Sequence, residues 1–240
     1  MFTNISSRKV YEQVIDQIQK NIISGELKKG DKLPSERELS EQMNISRTSI
    51  REAIRVLESM GVVESIHGEG NFICFNSEKS LLQPLSMIFM LNNGKYQDVF
   101  ELRKILEIES TRLAALRVND EDCKDLRYII KSMENELDNK KRNDVLVELD
   151  KNFHSKIAQM SKNNLIESLY NTSSMLFEKF IKDARLEMIR KDSEAEKLLL
   201  IQHRQICNAI IKRNVNLSAQ RMEEHMDYIE KDYLSSINNL

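Results

Sequence analysis

Three histidines and one aspartate are the residues of this 240-residue sequence best suited to bind a metal ion. Asp150 lies four residues before His154, so both side chains project from one face if this segment is helical. His203 and His225 lie further along the chain, each among apolar residues at helical spacing. Three imidazoles and a carboxylate suit Zn²⁺, with Ni²⁺ or Mn²⁺ as alternatives, if they converge. The sequence spacing supports only the Asp150–His154 pair, because these are the only two of the four residues in one predicted helix. Any one of the histidines is more often a surface residue or a hydrogen-bonded core residue than a metal ligand.

A second set of chemically suitable residues is a row of arginines, Arg47, Arg51 and Arg55, spaced four residues apart. The residues between them are apolar at helical spacing and predict a buried face: Ile50, Ala53, Ile54 and Leu57. A planar guanidinium can hydrogen-bond O6 and N7 of guanine together, so the row is suited to reading DNA. The alternative is a solvated helix face on which Glu52 and Glu58 pair with the arginines.

The order of elements around these arginines predicts a winged helix-turn-helix, in which three helices precede a β-hairpin. Helices are expected over residues 9–24, 35–43 and 47–60. Strands are expected over residues 62–66 and 71–75. Ser35 and Glu38 have the spacing of a capping box, and Ser46 is placed to cap the third helix. The hairpin turn is the small sequence His67-Gly68-Glu69-Gly70, which could enter a minor groove.

In a winged helix-turn-helix, the N-terminal residues of the third helix reach base edges in the major groove. Arg47 and Arg51 are therefore predicted to contact bases, while Thr48 and Ser49 would contact bases or phosphates. Residues 1–76 contain ten Lys or Arg and eleven Asp or Glu. The prediction of DNA binding therefore depends on the order of elements and not on a basic net charge.

Glycine usage divides the chain into two parts, because five of the six glycines precede residue 75. We expect a mainly α protein, with the winged helix-turn-helix over residues 1–76 and an antiparallel bundle of about seven helices over residues 77–240. The bundle helices are expected over 79–92, 97–118, 120–139, 142–160, 163–188, 193–213 and 215–236. Apolar stripes such as Leu102, Ile105 and Leu106 are predicted to form its core.

Composition disfavours a membrane protein and a secreted one. No apolar run approaches the roughly 20 residues of a membrane span, and Arg8 and Lys9 interrupt the first apolar residues. The three cysteines, Cys74, Cys123 and Cys207, are far apart and form no CxxC motif. We therefore expect a cytoplasmic protein with reduced thiols.

The stretch GELKKGDKLPSERELSEQMNISRTSIREAIRVLESMGVVESIHGEGNFI resembles the DNA-binding domain of the GntR family of bacterial transcription regulators. Its hallmarks are Gly-x-Leu-x-x-Gly-x-x-Leu-Pro-Ser-Glu-Arg-x-Leu and Ser-Arg-x-x-Ile-Arg-x-Ala, and the resemblance covers about residues 8–75. It implies a homodimer on an inverted-repeat operator, with repression the commoner outcome. The residues expected to contact the operator are Arg37, Ser46, Arg47, Thr48, Ser49, Arg51, His67, Gly68 and Gly70.

The second part resembles the FCD effector domain of the FadR subfamily of these regulators, in the stretches VFELRKILEIESTRLAA, LDKNFHSKIAQMSKNNLI, LIQHRQICNAIIKRN and RMEEHM. This resemblance implies that Asp150, His154, His203 and His225 bind a metal ion. It also implies that Arg103 helps to hold the carboxylate of a small organic-acid effector. A metal with an open coordination position and a bidentate arginine would bind a 2-hydroxy or 2-oxo acid. Acyl-CoA, the ligand of another branch, is not expected because that branch does not show this metal set.

The same residues are compatible with three alternative functions. The metal ion could itself be the effector, or it could only stabilise the bundle while the effector binds at Arg103. An Asp/His₃ site could also activate water in a metal-dependent enzyme. The enzyme is disfavoured because no separate general base lies beside the four ligands in the sequence, and the DNA-binding part would have no role.

Overall fold

The structure is a computed structural model that describes residues 9–74, 77–139, 143–176, 178, 182 and 194–237. The chain divides into two compact units, residues 1–84 and 85–240. The described residues are mainly helical, with one two-stranded antiparallel sheet, and so confirm the predicted fold class. The helix predicted over residues 163–188 is described continuously only to residue 176, and most of the remainder lies outside the described residues.

The first unit contains three helices and a hairpin in the predicted order: α1 (Val10–Ser24), α2 (Glu36–Met43), α3 (Arg47–Ser59), β1 (Val63–Ile66) and β2 (Gly70–Ile73). The predicted capping box begins α2, because the Ser35 hydroxyl accepts from the Glu38 amide at 3.2 Å and the Glu38 carboxylate accepts from the Ser35 amide at 2.8 Å. Asn44 makes the short turn to α3 with φ of 50°, a left-handed conformation that asparagine tolerates. In the hairpin, Val63 lies opposite Ile73.

The apolar face of α3 forms the centre of the first unit. The four residues predicted for this face are all buried: Ile50, Ala53, Ile54 and Leu57. They belong to one cluster with Val14 and Ile18 of α1, Leu39 of α2 and Val63 of β1. Burial of this face fixes the rotation of α3 about its axis, so the opposite face with its arginines is directed to solvent.

The second unit is a helical bundle. Its helices, the first of which crosses the boundary between the units, are α4 (Ser77–Leu91), α5 (Tyr96–Arg117), α6 (Asp120–Asn139), α7 (Asn143–Met160), α8 (Asn164–Leu176), α9 (Ala195–Ile211) and α10 (Val215–Ile237). Helix α5 packs against α7 and α10, α6 packs against α7 and α9, and α9 packs against α10. Within the described ranges, no helix is both long and apolar enough to span a membrane.

The prediction of the buried face of α5 was right for Leu106, which is buried, and wrong for Leu102 and Ile105. Leu102 and Ile105 are 39% and 64% exposed, whereas Arg103 and Glu107 are almost completely buried. Residues 103 and 107 are one helical turn apart, so they share a face from which residues 102 and 105 are rotated away. Apolar periodicity failed here because the buried face of α5 carries polar residues.

A buried carboxylate, that of Asp122, connects the start of α6 to α7 and to the residues that follow α7. Asp122 accepts from the Asn119 amide at 3.3 Å, and its own amide donates to the Asn119 side chain at 2.8 Å. The Asp122 carboxylate also lies 3.4 Å from Nζ of Lys156 and 3.0 Å from Nζ of Lys162. Burial would raise the pKa of Asp122, but hydrogen bonds from Lys162 and the Asn119 amide outweigh it and lower the pKa below its usual range.

Candidate functional site

The exposed face of α3 presents the residues that were predicted to read DNA. Arg47 and Thr48 are exposed in its first turn, and Ser49 is half-buried. The Ser46 hydroxyl accepts from the Ser49 amide at 3.2 Å and lies 3.0 Å from the Ser49 hydroxyl. Ser46 therefore caps the helix as predicted, and it presents the first-turn residues at the N-terminus, where anions such as phosphates are favoured.

Arg51 is held by a residue that sequence reasoning did not select. Its Nε and Nη2 lie 3.1 Å and 2.8 Å from Oε2 of Glu36 on α2, whereas the alternative interpretation of the arginine row named Glu52 and Glu58 as partners. This pair raises the pKa of Arg51, so its charge is fixed, and it orients the guanidinium from the neighbouring helix. Arg37 lies 3.6 Å from Glu41 on the exposed surface of α2.

The wing tip places His67, Gly68 and Gly70 on the surface, as predicted. Gly68 and Gly70 have φ of 79° and 114°, which L side chains rarely adopt. A Cβ added at Gly70 would lie 3.0 Å from Cε of Lys32, whose side chain crosses the wing and brings Nζ 5.9 Å from the centre of the Phe72 ring. Gly70 is therefore required both by its backbone conformation and by this close approach.

Three imidazoles converge in the second unit from three different helices. His154 of α7, His203 of α9 and His225 of α10 are each at most 2% exposed. Each offers one nitrogen, and these three nitrogens all lie within 4.8 Å of one another. Two nitrogens that bind one Zn²⁺ at about 2.1 Å lie at most about 4.2 Å apart. Nitrogens within 4.8 Å of one another are near enough for small side-chain movements to bring them onto one ion.

Asp150 completes the predicted set. It lies one helical turn before His154 on α7, and its Oδ1 lies 3.4 Å from Nε2 of His203. Its side chain is 15% exposed, more than any of the three imidazoles. The structure therefore brings together all four residues that the sequence pointed to, with the carboxylate on the more open side.

Nε2 of His154 and Nε2 of His225 are buried and have no hydrogen-bonding partner among the described residues. Both belong to residues whose other nitrogen is engaged, since Nδ1 of His154 contacts Oε2 of Glu107 and Nδ1 of His225 lies 2.8 Å from Oε1 of Gln202. Such contacts at Nδ1 orient imidazoles that bind metals through Nε2. The four residues thus fit a divalent ion.

The environment of His225 keeps its ring neutral. Burial first, and then the neighbouring His203 and His154, lower the pKa of His225 well below the usual histidine range. A neutral imidazole is the form that binds a metal, so protons compete little for this residue near pH 7.

Glu107 is a functional candidate that sequence reasoning missed. Its Oε1 accepts a hydrogen bond from Nε of Arg103 at 3.0 Å and lies 2.7 Å from Nη2, and its Oε2 contacts His154. Burial would raise the pKa of Glu107, but His154 and Arg103 outweigh burial and lower the pKa to about 2. The available signal was its position four residues after Arg103, which places both on one helix face.

A small cavity of about 40 Å³ adjoins this cluster. At roughly 10–15 Å³ per water molecule, it holds about three waters or a few heavy atoms. Arg103, Asp150, His154, Tyr170 and Ser174 contribute to its wall. Burial raises the pKa of Tyr170, so its hydroxyl stays protonated and can donate a hydrogen bond. The wall therefore combines a cation, a hydroxyl and candidate metal ligands.

The first unit is a winged helix-turn-helix of the kind that binds DNA, and the second is a helical domain with a buried polar site. The chain belongs to the GntR family of bacterial regulatory proteins, whose model matches residues 10–73, and it carries an FCD domain over residues 98–228. It is therefore a bacterial DNA-binding transcription regulator and not an enzyme.

Similar proteins include regulators from several bacteria. The HTH-type transcriptional regulator LutR of Bacillus subtilis is 32% identical, over 89% of this chain and 96% of its own length. The Glc operon transcriptional activator of Escherichia coli K12 is 28% identical, over 94% of this chain and 89% of its own length. The solved structure of Streptococcus agalactiae GntR is 26% identical, with a TM-score of 0.67, and the match covers 92% of this chain and 100% of that one.

Proposed function

We propose that this regulator senses a small carboxylate bound at a divalent-metal site formed by Asp150, His154, His203 and His225. One observation carries the proposal: Nε2 of His154 and Nε2 of His225 are buried in one cluster without hydrogen-bonding partners among the described residues. A buried polar atom without a partner is unfavourable, and a cation bound to the two lone pairs would remove this penalty.

The donor set supports Zn²⁺ as the ion, with Ni²⁺ or Mn²⁺ as alternatives, because imidazole nitrogens and one carboxylate suit these metals. When bound, the ion would supply a Lewis-acidic coordination position for the oxygens of an acid. Asp150 and His154 contribute both to the ligand set and to the wall of the cavity, so an acid in the cavity would lie beside the metal site.

The size and lining of the cavity support a small acid as the effector. A volume of about 40 Å³ suits a molecule of a few heavy atoms and is too small for a long acyl chain. Arg103 supplies a buried positive charge, and Tyr170 supplies a neutral donor. Because Nε and Nη2 of Arg103 already bind Glu107, the acid would use the remaining donors of the guanidinium, such as Nη1.

The proposed regulator is a cytoplasmic homodimer that represses transcription from an inverted-repeat operator. The acid regulates only if it binds the DNA-competent and DNA-incompetent states with different affinity. A similar protein is named a transcriptional activator, so an in vitro transcription assay should score both increases and decreases. Transcription that rises when the protein is added would overturn repression while leaving the sensing site intact.

The test of the sensing site is a thermal-shift screen of small carboxylates: lactate, glycolate and pyruvate, with the larger acids citrate and gluconate as a check on the size limit of the cavity. It should be run on Zn²⁺-loaded and on chelator-treated protein. An acid that stabilises only the loaded form and changes the affinity for operator DNA, measured by fluorescence anisotropy, supports the proposal. Stabilisation that survives chelation would make the metal structural, whereas a response of DNA affinity to Zn²⁺ without any acid would make the ion the effector.

Arg103→Lys provides the matched variant for the acid, because lysine keeps the charge but lacks the planar set of donors. We expect it to lose most of the stabilisation by the acid. Lys104→Met is the control, because Lys104 is the next residue of α5 and pairs with Asp227 outside the cavity. This variant should retain the stabilisation by the acid. Equal responses of the two variants would exclude Arg103 from the effector site.

A further inference from the structure

Glu107 lies between the two halves of the proposed site and touches both. Its side chain is 2% exposed, so both carboxylate oxygens depend on protein partners. Oε1 accepts a hydrogen bond from Nε of Arg103 and forms an ion pair with Nη2, and Oε2 contacts Nδ1 of His154 on another helix. One carboxylate therefore links the cation of the cavity to one of the three converging imidazoles.

This arrangement determines which nitrogen of His154 carries the ring proton. An arginine only donates hydrogen bonds, so the pairing with Arg103 favours the ionised form of the Glu107 carboxylate, in which both oxygens can act only as acceptors. The nitrogen that faces Oε2 must then carry hydrogen, and that nitrogen is Nδ1. In the neutral ring, the lone pair is consequently on Nε2, so Nε2 is the nitrogen that His154 can offer to an ion shared with His203 and His225.

We propose that Glu107 is a positioning residue for the metal centre, which fixes the proton of His154 on Nδ1 and thereby leaves Nε2 to bind the ion. The inference rests on the proposed function, because it requires a metal at the histidines. Glu107 itself would not be a ligand, since it contacts the ring at Nδ1 and leaves Nε2 for the ion. Arg103 would in turn hold Glu107, and so would act on the metal as well as on the acid.

Glu107→Gln is the decisive substitution, because it keeps the size of the side chain and removes one of the two acceptors. An amide oxygen that stays on Arg103 leaves the NH₂ group facing Nδ1 of His154, which favours the ring proton on Nε2. If the amide is turned the other way, its oxygen faces Nδ1 of His154 and its NH₂ group faces the guanidinium. This arrangement is unfavourable because both groups are hydrogen-bond donors. Neither arrangement reproduces the native contacts, so Zn²⁺ affinity should fall about 10–100-fold.

The experiment measures Zn²⁺ affinity of the full chain by competition with a chromophoric chelator, with no acid present. Glu109→Gln is the control, because Glu109 lies two residues further on α5 and pairs with Arg112 at the surface. We expect Glu107→Gln to bind Zn²⁺ about 10–100-fold more weakly and Glu109→Gln to match the wild type. Equal affinities of a folded Glu107→Gln variant and the wild type would overturn the inference.

A second measurement uses the wild type and does not depend on a variant that folds. Two-bond ¹H–¹⁵N correlation spectra of the metal-free protein report which nitrogen of each imidazole carries hydrogen, and His154→Gln identifies the signal of His154. We expect hydrogen on Nδ1 of His154; a neutral ring with hydrogen only on Nε2 would refute the role of Glu107. A wild-type chain that binds no Zn²⁺ would instead defeat the proposed function itself, so the two failures are distinguishable.

Discussion

Removal of the metal should lower the melting temperature, and this effect should require the histidines of the bundle. The perturbations are a chelator and the substitution His225→Gln. His225 is the best residue to change, because it is completely buried and its Nε2 has no hydrogen-bonding partner among the described residues. The control is His67→Gln, which changes the fourth histidine of the chain, exposed on the wing.

The expected magnitude follows from linkage between binding and folding. An ion that binds only the folded state at a concentration of about 100 Kd stabilises that state by about 2.7 kcal/mol. For a domain of about 150–250 residues, each kcal/mol shifts Tm by about 2–4 °C, so loading should raise Tm by about 5–11 °C. A variant that binds about 100-fold more weakly is stabilised by only about 0.4 kcal/mol at the same concentration, or about 1–2 °C.

The assay is differential scanning calorimetry of the three proteins, each with Zn²⁺ and with excess chelator. The wild type and His67→Gln should show the full shift, and His225→Gln should show little of it. The reasoning would be refuted if His225→Gln shifted as far as the wild type. Loss of the shift in His67→Gln would also refute it, because the ion would then bind outside the bundle.

Three further predictions concern DNA binding and stability. Arg51→Ala should weaken operator binding by about 1–3 kcal/mol in fluorescence anisotropy, and unchanged binding would contradict the recognition-helix assignment. Gly70→Ala should weaken operator binding more than Gly68→Ala, because a Cβ at residue 70 would press on Lys32 and a Cβ at residue 68 would contact nothing. Equal effects of the two variants would leave backbone strain as the sole cause. Asp122→Asn should lower the unfolding free energy by about 1–2 kcal/mol in urea. Because its pKa is lowered, Asp122 stabilises the fold above the unfolded pKa of about 3.8, and wild type and variant should converge as the pH falls through the lower folded pKa.

Local chemistry in the sequence was sufficient for the elements of the first unit. The capping box of Ser35 and Glu38 began α2, and Ser46 began α3, because each depends on groups within three residues of one another. The buried face of α3 followed from apolar spacing for the same reason. In the second unit, the spacing of Asp150 and His154 was also a property of one helix, whereas convergence of the full ligand set was supported only by a family resemblance.

The tertiary structure decided which helix faces meet. Apolar periodicity selected Leu102 and Ile105 for the core, but packing buried the face of α5 that carries Arg103 and Glu107. The convergence of the three imidazoles and the pairing of Arg51 with Glu36 likewise join residues of different helices. Sequence spacing determines neighbours within one helix, about three or four residues apart, whereas the rotation and crossing of helices determine which distant side chains come into contact.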